Sequence, residues 1–399
     1  MRILFIADAV SDDLSGGSRT AAKALAEGLT LRGHSVTFLV ARHLPNTRAD
    51  ETRDGIRTVR YEGAGAGPGF VASGRRAAKD LFHQTQFDIV HTHFAYAGIG
   101  PLSVAPKSVP RVRTFHGPWD EEGWVEDRAR SQSPVSYIKA RLKKQIRARV
   151  ERVDLHRSDK VIVLSDSFKK MVLGTYGVTG SKLVKIPGGV DTTKFAPLND
   201  SQLRAARSNL GIPADRPIIL TVRRLTARMG IENLIRAMPD IIRNVPNVML
   251  LVGGKGPMLG ALEQLSQQLG LSANIRFVGF IPSDKLAGYY QCADLFVLPT
   301  TALEGFGLVT VEALSCGTPV IGTPVGATPE ILNKIDRRLV TSGIEPAALE
   351  ERISSFFVDN WRHDLTRPKL HKFCENNYSW EKNILNTEYL YSELINAPG

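Results

Sequence analysis

Glu304 and Glu312 bracket the run Glu304-Gly305-Phe306-Gly307-Leu308-Val309-Thr310-Val311-Glu312, in which glycines flank an aromatic residue and a helix-forming stretch carries the second carboxylate. Glycines allow a tight turn and close backbone approach to a ligand, and the stretch to Ser315 reads as the first turns of a helix. Amides at a helix N-terminus attract phosphate. Glu312 lies about two turns beyond Glu304, so one carboxylate can reach a sugar-like group and the other a ribose edge. Two acceptors beside an anion site suggest a sugar nucleotide. A glutamate near a helix start is also favoured by the helix dipole alone, so the wider context has to decide.

Three further segments have suitable chemistry. Ser15-Gly16-Gly17-Ser18 leads from a strand into the helix-forming Arg19 to Ala26, a loop that presents amides to an anion or serves simply as a βα turn. His116, in Arg113-Thr114-Phe115-His116-Gly117-Pro118-Trp119, falls directly after an expected strand, at the sheet edge where open α/β folds gather ligands. Arg223 and Arg224 close another expected strand ahead of Arg228, and fixed cations there stabilise a departing diphosphate. Alternation favours Arg224 over its neighbour. His91 and His93 are read as alternating to opposite faces, hence structural or peripheral.

These residues need a scaffold. Strands are expected at 2–7, 35–40, 56–61, 88–91, 111–114 and 160–164, and again at 217–222, 247–252, 275–278, 295–298 and 319–323. Alternating strand and helix predicts an α/β protein with two doubly wound, Rossmann-like domains. The first spans 1–190 and the second 200–376, joined through Pro187-Gly188-Gly189-Val190-Asp191 and the polar stretch to Ser201. A last helix, 378–396, with Trp380, Ile384, Leu385, Tyr389 and Leu390 on one face, either completes the first domain or covers the second. The segments 63–70 and 119–133 read as variable loops suited to acceptor contacts.

At 399 residues the chain exceeds one core, and 43% apolar residues exclude general disorder. Three dispersed cysteines, Cys292, Cys316 and Cys374, argue against a disulfide framework or a cysteine zinc site, which fits a reducing cytoplasm. The apolar run at Met1 to Asp8 is short for a signal peptide and reads as a first strand. A net charge of +11 implies an anionic partner. Nucleic acid is disfavoured, because no aromatic stacking platform is interleaved with the basic residues. The basic helix 139–152 carries Leu142, Ile146, Val150 and, just beyond it, Val153 on one face; that stripe is expected to pack on the sheet, with contact to an anionic membrane face as the alternative. No Asp-x-Asp pair is present to hold a metal against a diphosphate, so the expected chemistry uses no metal and no cofactor.

Together these segments make the chain resemble, over nearly its whole length, the retaining glycosyltransferases of family 4, which have the GT-B architecture of two Rossmann-like domains facing a deep cleft. The resemblance is carried by Gly16-Gly17, Phe115-His116-Gly117, Val163-Leu164-Ser165, Ile186 to Asp191 and Arg224-Leu225. It continues through Val252-Gly253-Gly254-Lys255-Gly256-Pro257, Phe277-Val278-Gly279-Phe280 and Glu304 to Glu312. It implies an acceptor-side first domain and a donor-binding second domain. By the same resemblance Glu304 contacts the donor sugar, Glu312 the ribose, and the amides of Phe306, Gly307 and Leu308 the diphosphate. Arg224 neutralises the leaving group, Gly16-Gly17 lies under the donor phosphate, His116 contacts the transferred sugar, and Gly254, Phe280 and Gly305 join the nucleotide site. The implied reaction is sugar transfer from a UDP- or GDP-linked donor to a sugar, lipid-linked or small-molecule hydroxyl, with anomeric configuration kept, in polysaccharide or envelope glycan synthesis. The implied setting is cytoplasmic, at the inner membrane face where the acceptor is lipid-linked. Two departures stand out. Met229 occupies the place of the family's usual lysine, with Arg228 one residue ahead, and Gly188 replaces the commoner hinge asparagine. A sugar-nucleotide-binding protein without turnover and a GT-B epimerase remain open as readings.

Overall fold

The computed structural model describes residues 1–14, 16–63, 67–129, 131 and 133–397. Ser15 of the glycine loop, residues 64–66 of the segment 63–70, and residues 130 and 132 of the segment 119–133 therefore lie outside the described residues. The chain divides into two compact units, Met1–Gly189 with Trp380–Gly399, and Val190–Ser379.

The first unit is built on β1 (Arg2–Ile6), β2 (Ser35–Ala41), β3 (Asp50–Arg53), β4 (Ile56–Tyr61), β5 (Ile89–Thr92), β6 (Arg111–Phe115), β7 (Lys160–Val163) and β8 (Leu183–Lys185). They form one sheet in the order β3-β4-β2-β1-β5-β6-β7-β8, parallel except for the β3/β4 pair. Ile3, Leu4, Phe5 and Ile6 are all buried, as a central strand covered on both faces requires. The helix Gly17–Leu31 buries Ala22, Leu25, Ala26 and Leu29, a stripe at helical spacing against the sheet. Two strands were not anticipated. β3 is polar, with three charged residues and Thr52, and turns through Asp54 and Gly55, both at positive φ, into β4, while β8 has only three residues.

The C-terminal helix Trp380–Asn396 belongs to this first unit. It buries Ile384, Leu390 and Tyr391 in the same core cluster as Ile3, Phe5 and Leu29. Glu388 pairs with Arg32 at 2.6 Å and with His34 at 2.7 Å, fixing the helix against Gly17–Leu31.

The second unit contains β9 (Ile218–Val222), β10 (Met249–Gly253), β11 (Ile275–Gly279), β12 (Leu295–Leu298) and β13 (Val320–Gly322), all parallel in the order β11-β10-β9-β12-β13. From β9 the chain steps outward through β10 to β11, then crosses back to β12 on the other side of β9 and on to β13. The order of progression across the sheet thus reverses between β9 and β12, which stay parallel, and at such a place open parallel sheets leave a crevice at their carboxyl ends.

Of the two expected loops, 63–70 runs at its end into a helix and 119–133 is largely helical. Pro68–Gln84 is a helix with proline in its first turn, and Trp119–Ala129 is a helix with Asp120, Glu121 and Glu122 in its first turn. Proline at the helix start and carboxylates near the N-terminal dipole both favour these elements. The cysteines are free and buried. No helix among the described residues is long and apolar enough to cross a membrane.

Candidate active site

Arg223 follows β9, and Glu304 lies in the loop between β12 and the helix Leu308–Ser315, so the topological switch of the second unit brings them together. Arg223 Nη2 donates to Glu304 Oε2 at 2.7 Å, with both side chains less than a tenth exposed. Thr300 Oγ1 donates to the same carboxylate oxygen at 3.0 Å. Arg223 also lies on the thioether of Met229, with Nη2 2.9 Å and Nε 3.3 Å from the sulfur. The backbone around the pair is closely packed. A Cβ at Gly254 would come within 2.9 Å of the Arg223 carbonyl carbon, and one at Gly326 within 2.8 Å of the Glu304 carbonyl carbon. Larger residues there would displace the pair.

The loop holding Glu304 is strained and braced. Leu303 has φ of 62°, a left-handed conformation that costs a non-glycine residue on the order of 1 kcal/mol. Its carbonyl accepts from Arg228 Nη1 at 3.2 Å, the Glu304 carbonyl accepts from the Ala327 amide at 2.9 Å, and the Arg228 carbonyl accepts from the Thr301 amide at 2.8 Å. Gly305 is buried, and the Phe306 ring turns into the unit, meeting Tyr378 edge-on at 5.6 Å. Gly307 has φ of 79° and leads into the helix beginning at Leu308.

Glu312 lies in the second turn of that helix and accepts from the Tyr290 hydroxyl at 2.9 Å. Burial pushes its carboxyl up to about 7 despite this hydrogen bond and the nearby Lys194. At the ends of β10 and β11, Gly254 donates its amide to Gly279 at 2.7 Å, and Lys255 stacks over the half-exposed Phe280 ring at 5.4 Å. An exposed aromatic face with a cation on it suits a nucleobase.

In the first unit the loop after β1 reaches the helix Gly17–Leu31 at Gly16, and Arg19 from its first turn closes an ion pair onto Asp8 at the end of β1. His116 follows β6, and its Nε2 meets His93 Nδ1 at 3.1 Å. The rings of His91 and His93 stack at 4.2 Å, which corrects the expectation of opposite faces: residues i and i+2 of a strand share a face. His91 is held by Tyr391 at 2.5 Å and Thr114 at 2.7 Å. Beside the histidines, buried Arg113 pairs with Glu151 at 2.9 Å and with Asp154 at 2.8 Å. Burial, and secondarily the Arg113 charge, lowers the His116 imidazole to about 3. Burial also lowers His91 and His93 well below their ordinary value and pushes the Glu151 carboxyl up to about 7. All three imidazoles are therefore neutral at physiological pH.

The expected residues fall into two sets, Gly16, Gly17 and His116 in the first unit and the remainder in the second. The guanidinium that reaches Glu304 is that of Arg223, and Arg224 is exposed. Because β9 ends at Val222, its pleat fixes the direction of neither arginine. Tyr290, Thr300 and the Arg113 cluster were not anticipated; the arginine pair itself was the only sequence signal for Arg223. The apolar stripe of the basic helix also differs from expectation. Within the helix Pro134–Arg157 the buried face carries Ala140, Glu151, Asp154 and Leu155, while Leu142 and Ile146 are more than half exposed. The buried carboxylates are needed to compensate Arg113, so the inward face is partly acidic and the apolar stripe points outward.

Residues 15–194 match the family described as Glycosyltransferase Family 4, and residues 204–380 match Glycosyl transferases group 1. An uncharacterized glycosyltransferase of Methanocaldococcus jannaschii is 30% identical over 347 residues, 83% of each chain. A GDP-mannose-dependent alpha-(1-6)-phosphatidylinositol monomannoside mannosyltransferase of Mycolicibacterium smegmatis is 28% identical over 342 residues, again 83% of each. Among solved structures, a sucrose-phosphate synthase from Thermosynechococcus elongatus matches with a TM-score of 0.82 at 27% identity, over 100% of both chains. With two Rossmann-like units, each built on a largely or wholly parallel sheet, and these relatives, the chain belongs to glycosyltransferase family 4 and has the GT-B fold.

Proposed function

We propose that this glycosyltransferase retains anomeric configuration and moves a sugar from a UDP- or GDP-linked donor to a hydroxyl acceptor in polysaccharide, glycolipid or envelope glycan synthesis, without a metal ion. The observation that carries the reading is the Arg223–Glu304 pair at the sheet switch of the second unit, with Glu312 in the helix that follows. Glu304 accepts hydrogen bonds from donor-sugar hydroxyls, and Glu312 from the ribose. The amides of Phe306, Gly307 and Leu308 meet the diphosphate at the helix start. Gly16-Gly17 lies under the phosphate, Arg224 and Arg228 add positive charge, and Gly254 and Phe280 border the nucleotide. Neutral His116 contacts the sugar as a hydrogen-bonding group.

In the step itself the bond from the anomeric carbon to the diphosphate oxygen breaks, and a bond from that carbon to the acceptor oxygen forms on the same face. The acceptor's proton passes to the departing phosphate. Positive charge stabilises the diphosphate as it leaves. The mannosyltransferase relative is GDP-mannose-dependent and acts on a phosphatidylinositol monomannoside, while the structural relative is a sucrose-phosphate synthase. A phosphatidylinositol monomannoside and a sucrose phosphate both bear phosphate, and the net charge of +11 supports an anionic acceptor for this chain. The outward apolar and basic residues of Pro134–Arg157 support peripheral contact with an anionic bilayer.

The test is incubation with GDP-mannose and UDP-glucose against inositol phosphate, hexose phosphate and phosphatidylinositol acceptors, with and without EDTA. Release of nucleoside diphosphate that depends on acceptor, survives EDTA and gives a product of the donor's anomeric configuration by NMR is expected. Inverted product overturns the stereochemical reading, and binding without release across the panel overturns transfer with these substrates.

A further inference from the structure

The contact between Arg223 and Met229 has chemistry that the Arg223–Glu304 ion pair does not use up. A buried guanidinium requires good acceptors for its fork of N–H donors. Arg223 has one carboxylate oxygen, Glu304 Oε2 at 2.7 Å, and otherwise rests on the Met229 sulfur at 2.9 Å and 3.3 Å. A thioether is a weak acceptor, so this part of the guanidinium is poorly compensated where it lies. The setting is also specific. Glu304 Oε1 lies 3.4 Å from where a Cβ on Gly307 would stand, so the ion pair borders the turn that opens the helix Leu308–Ser315. Arg228, next to Met229 in sequence, directs Nη1 to the Leu303 carbonyl and braces the loop, and Arg224, next to Arg223, is exposed.

We propose that Arg223 also binds the donor's diphosphate, supplying a charge beside Met229, which has none of its own. A phosphate oxygen replaces the Met229 sulfur as acceptor, while Glu304 Oε2 keeps the guanidinium in place. Positive charge at this point on the strand edge is thus supplied from position 223 rather than 229. This inference rests on the proposed use of a nucleoside-diphosphate donor.

Calorimetric titration with GDP and UDP, and with GMP and UMP as controls, tests it on four proteins: the wild type, Arg223→Met, Arg223→Lys and the double variant Arg223→Met/Met229→Lys. Arg223→Met is expected to weaken binding of the preferred diphosphate by about 10- to 100-fold, the range of a lost charge-assisted hydrogen bond, and that of its monophosphate by less than about 3-fold. The double variant, with its ammonium at position 229, is expected to recover most of the diphosphate affinity, and Arg223→Lys to keep a substantial part of it. Unchanged diphosphate binding in Arg223→Met overturns the proposal. So does a loss that neither lysine restores, or one shared equally by the monophosphate, because Arg223 then only ties down Glu304. Wild-type protein that binds neither diphosphate removes the donor reading itself, a result distinct from all of these.

Discussion

The Tyr290 hydroxyl donates to Glu312 at 2.9 Å from a neighbouring helix, so the second carboxylate of the glycine-rich run is set in a buried phenol environment rather than in water. Burial pushes its carboxyl from the ordinary 4.5 to about 7. The folded protein therefore holds a proton that the unfolded chain releases between these values, and Glu312's contribution to stability is present below about 4.5 and lost as pH rises through about 7. Glu312→Gln does not titrate. Stability of the wild type minus that of the variant is expected to fall between pH 5 and 8, by at most about 3 kcal/mol. Parallel melting curves across that range would contradict the shift.

Glu304 and Glu312 should separate in kinetics. Arg223 is buried against Glu304, so Glu304→Ala leaves an unpaired guanidinium and is expected to cost about 3 kcal/mol or more of stability besides its effect on turnover. Glu304→Gln keeps an acceptor and is the cleaner probe. It is expected to lower kcat by about 100-fold or more, whereas Glu312→Ala chiefly raises KM for the donor. Arg224 is exposed, so Arg224→Ala should lower kcat with little change in melting temperature. Equal effects of the two glutamates on KM alone would remove the division of roles.

Much of this arrangement was legible because parallel strands buried on both faces are continuous apolar runs, and both the Glu304 to Glu312 run and the segment around His116 follow such strands directly. Other features depend on contacts distant in sequence. Nothing local to Asp154 or Glu151 announces that both face Arg113, some forty residues earlier in the chain. For the same reason the helix Pro134–Arg157 looked like an ordinary amphipathic element with its apolar side inward. That Arg223 is the arginine reaching Glu304 was hidden for a different reason, since pleat alternation stops where β9 stops.

The neutral histidine cluster has a spectroscopic consequence. His91, His93 and His116 are lowered by burial, His116 to about 3, so none of the three should titrate between pH 5 and 8. Their depressed values contribute stability that is present above about 6.5 and lost as pH falls through the folded values. NMR of ring-labelled histidine is expected to show three resonances invariant over this range. A midpoint near 6.5 for His116 would exclude the buried contact with His93.

Tyr391 joins the C-terminal helix to β5 through His91, and both side chains are fully buried. Tyr391→Phe leaves His91 Nδ1 without this partner and is expected to cost about 1–3 kcal/mol in denaturant unfolding. Leu385→Ser, on the exposed side of the same helix, should change stability by less than about 0.5 kcal/mol. A comparable loss from both would mean that the helix packs differently.

Leu142 and Ile146 project outward from Pro134–Arg157 among Lys139, Arg141, Lys143 and Arg149, all exposed. Were the stripe a core face, replacing it with serine would cost several kcal/mol; as an exposed face it should cost little. Leu142→Ser/Ile146→Ser is accordingly expected to melt within a few degrees of the wild type. If this face rests on lipid, the same double variant should lose binding to phosphatidylglycerol vesicles in flotation, while neither protein binds neutral phosphatidylcholine vesicles. High salt should weaken the wild-type interaction, because attraction between exposed charges and an anionic surface is screened within about 10 Å at 0.1 M ionic strength. Undiminished flotation of the double variant would assign vesicle binding to another surface, and a large drop in melting temperature would return the stripe to the core.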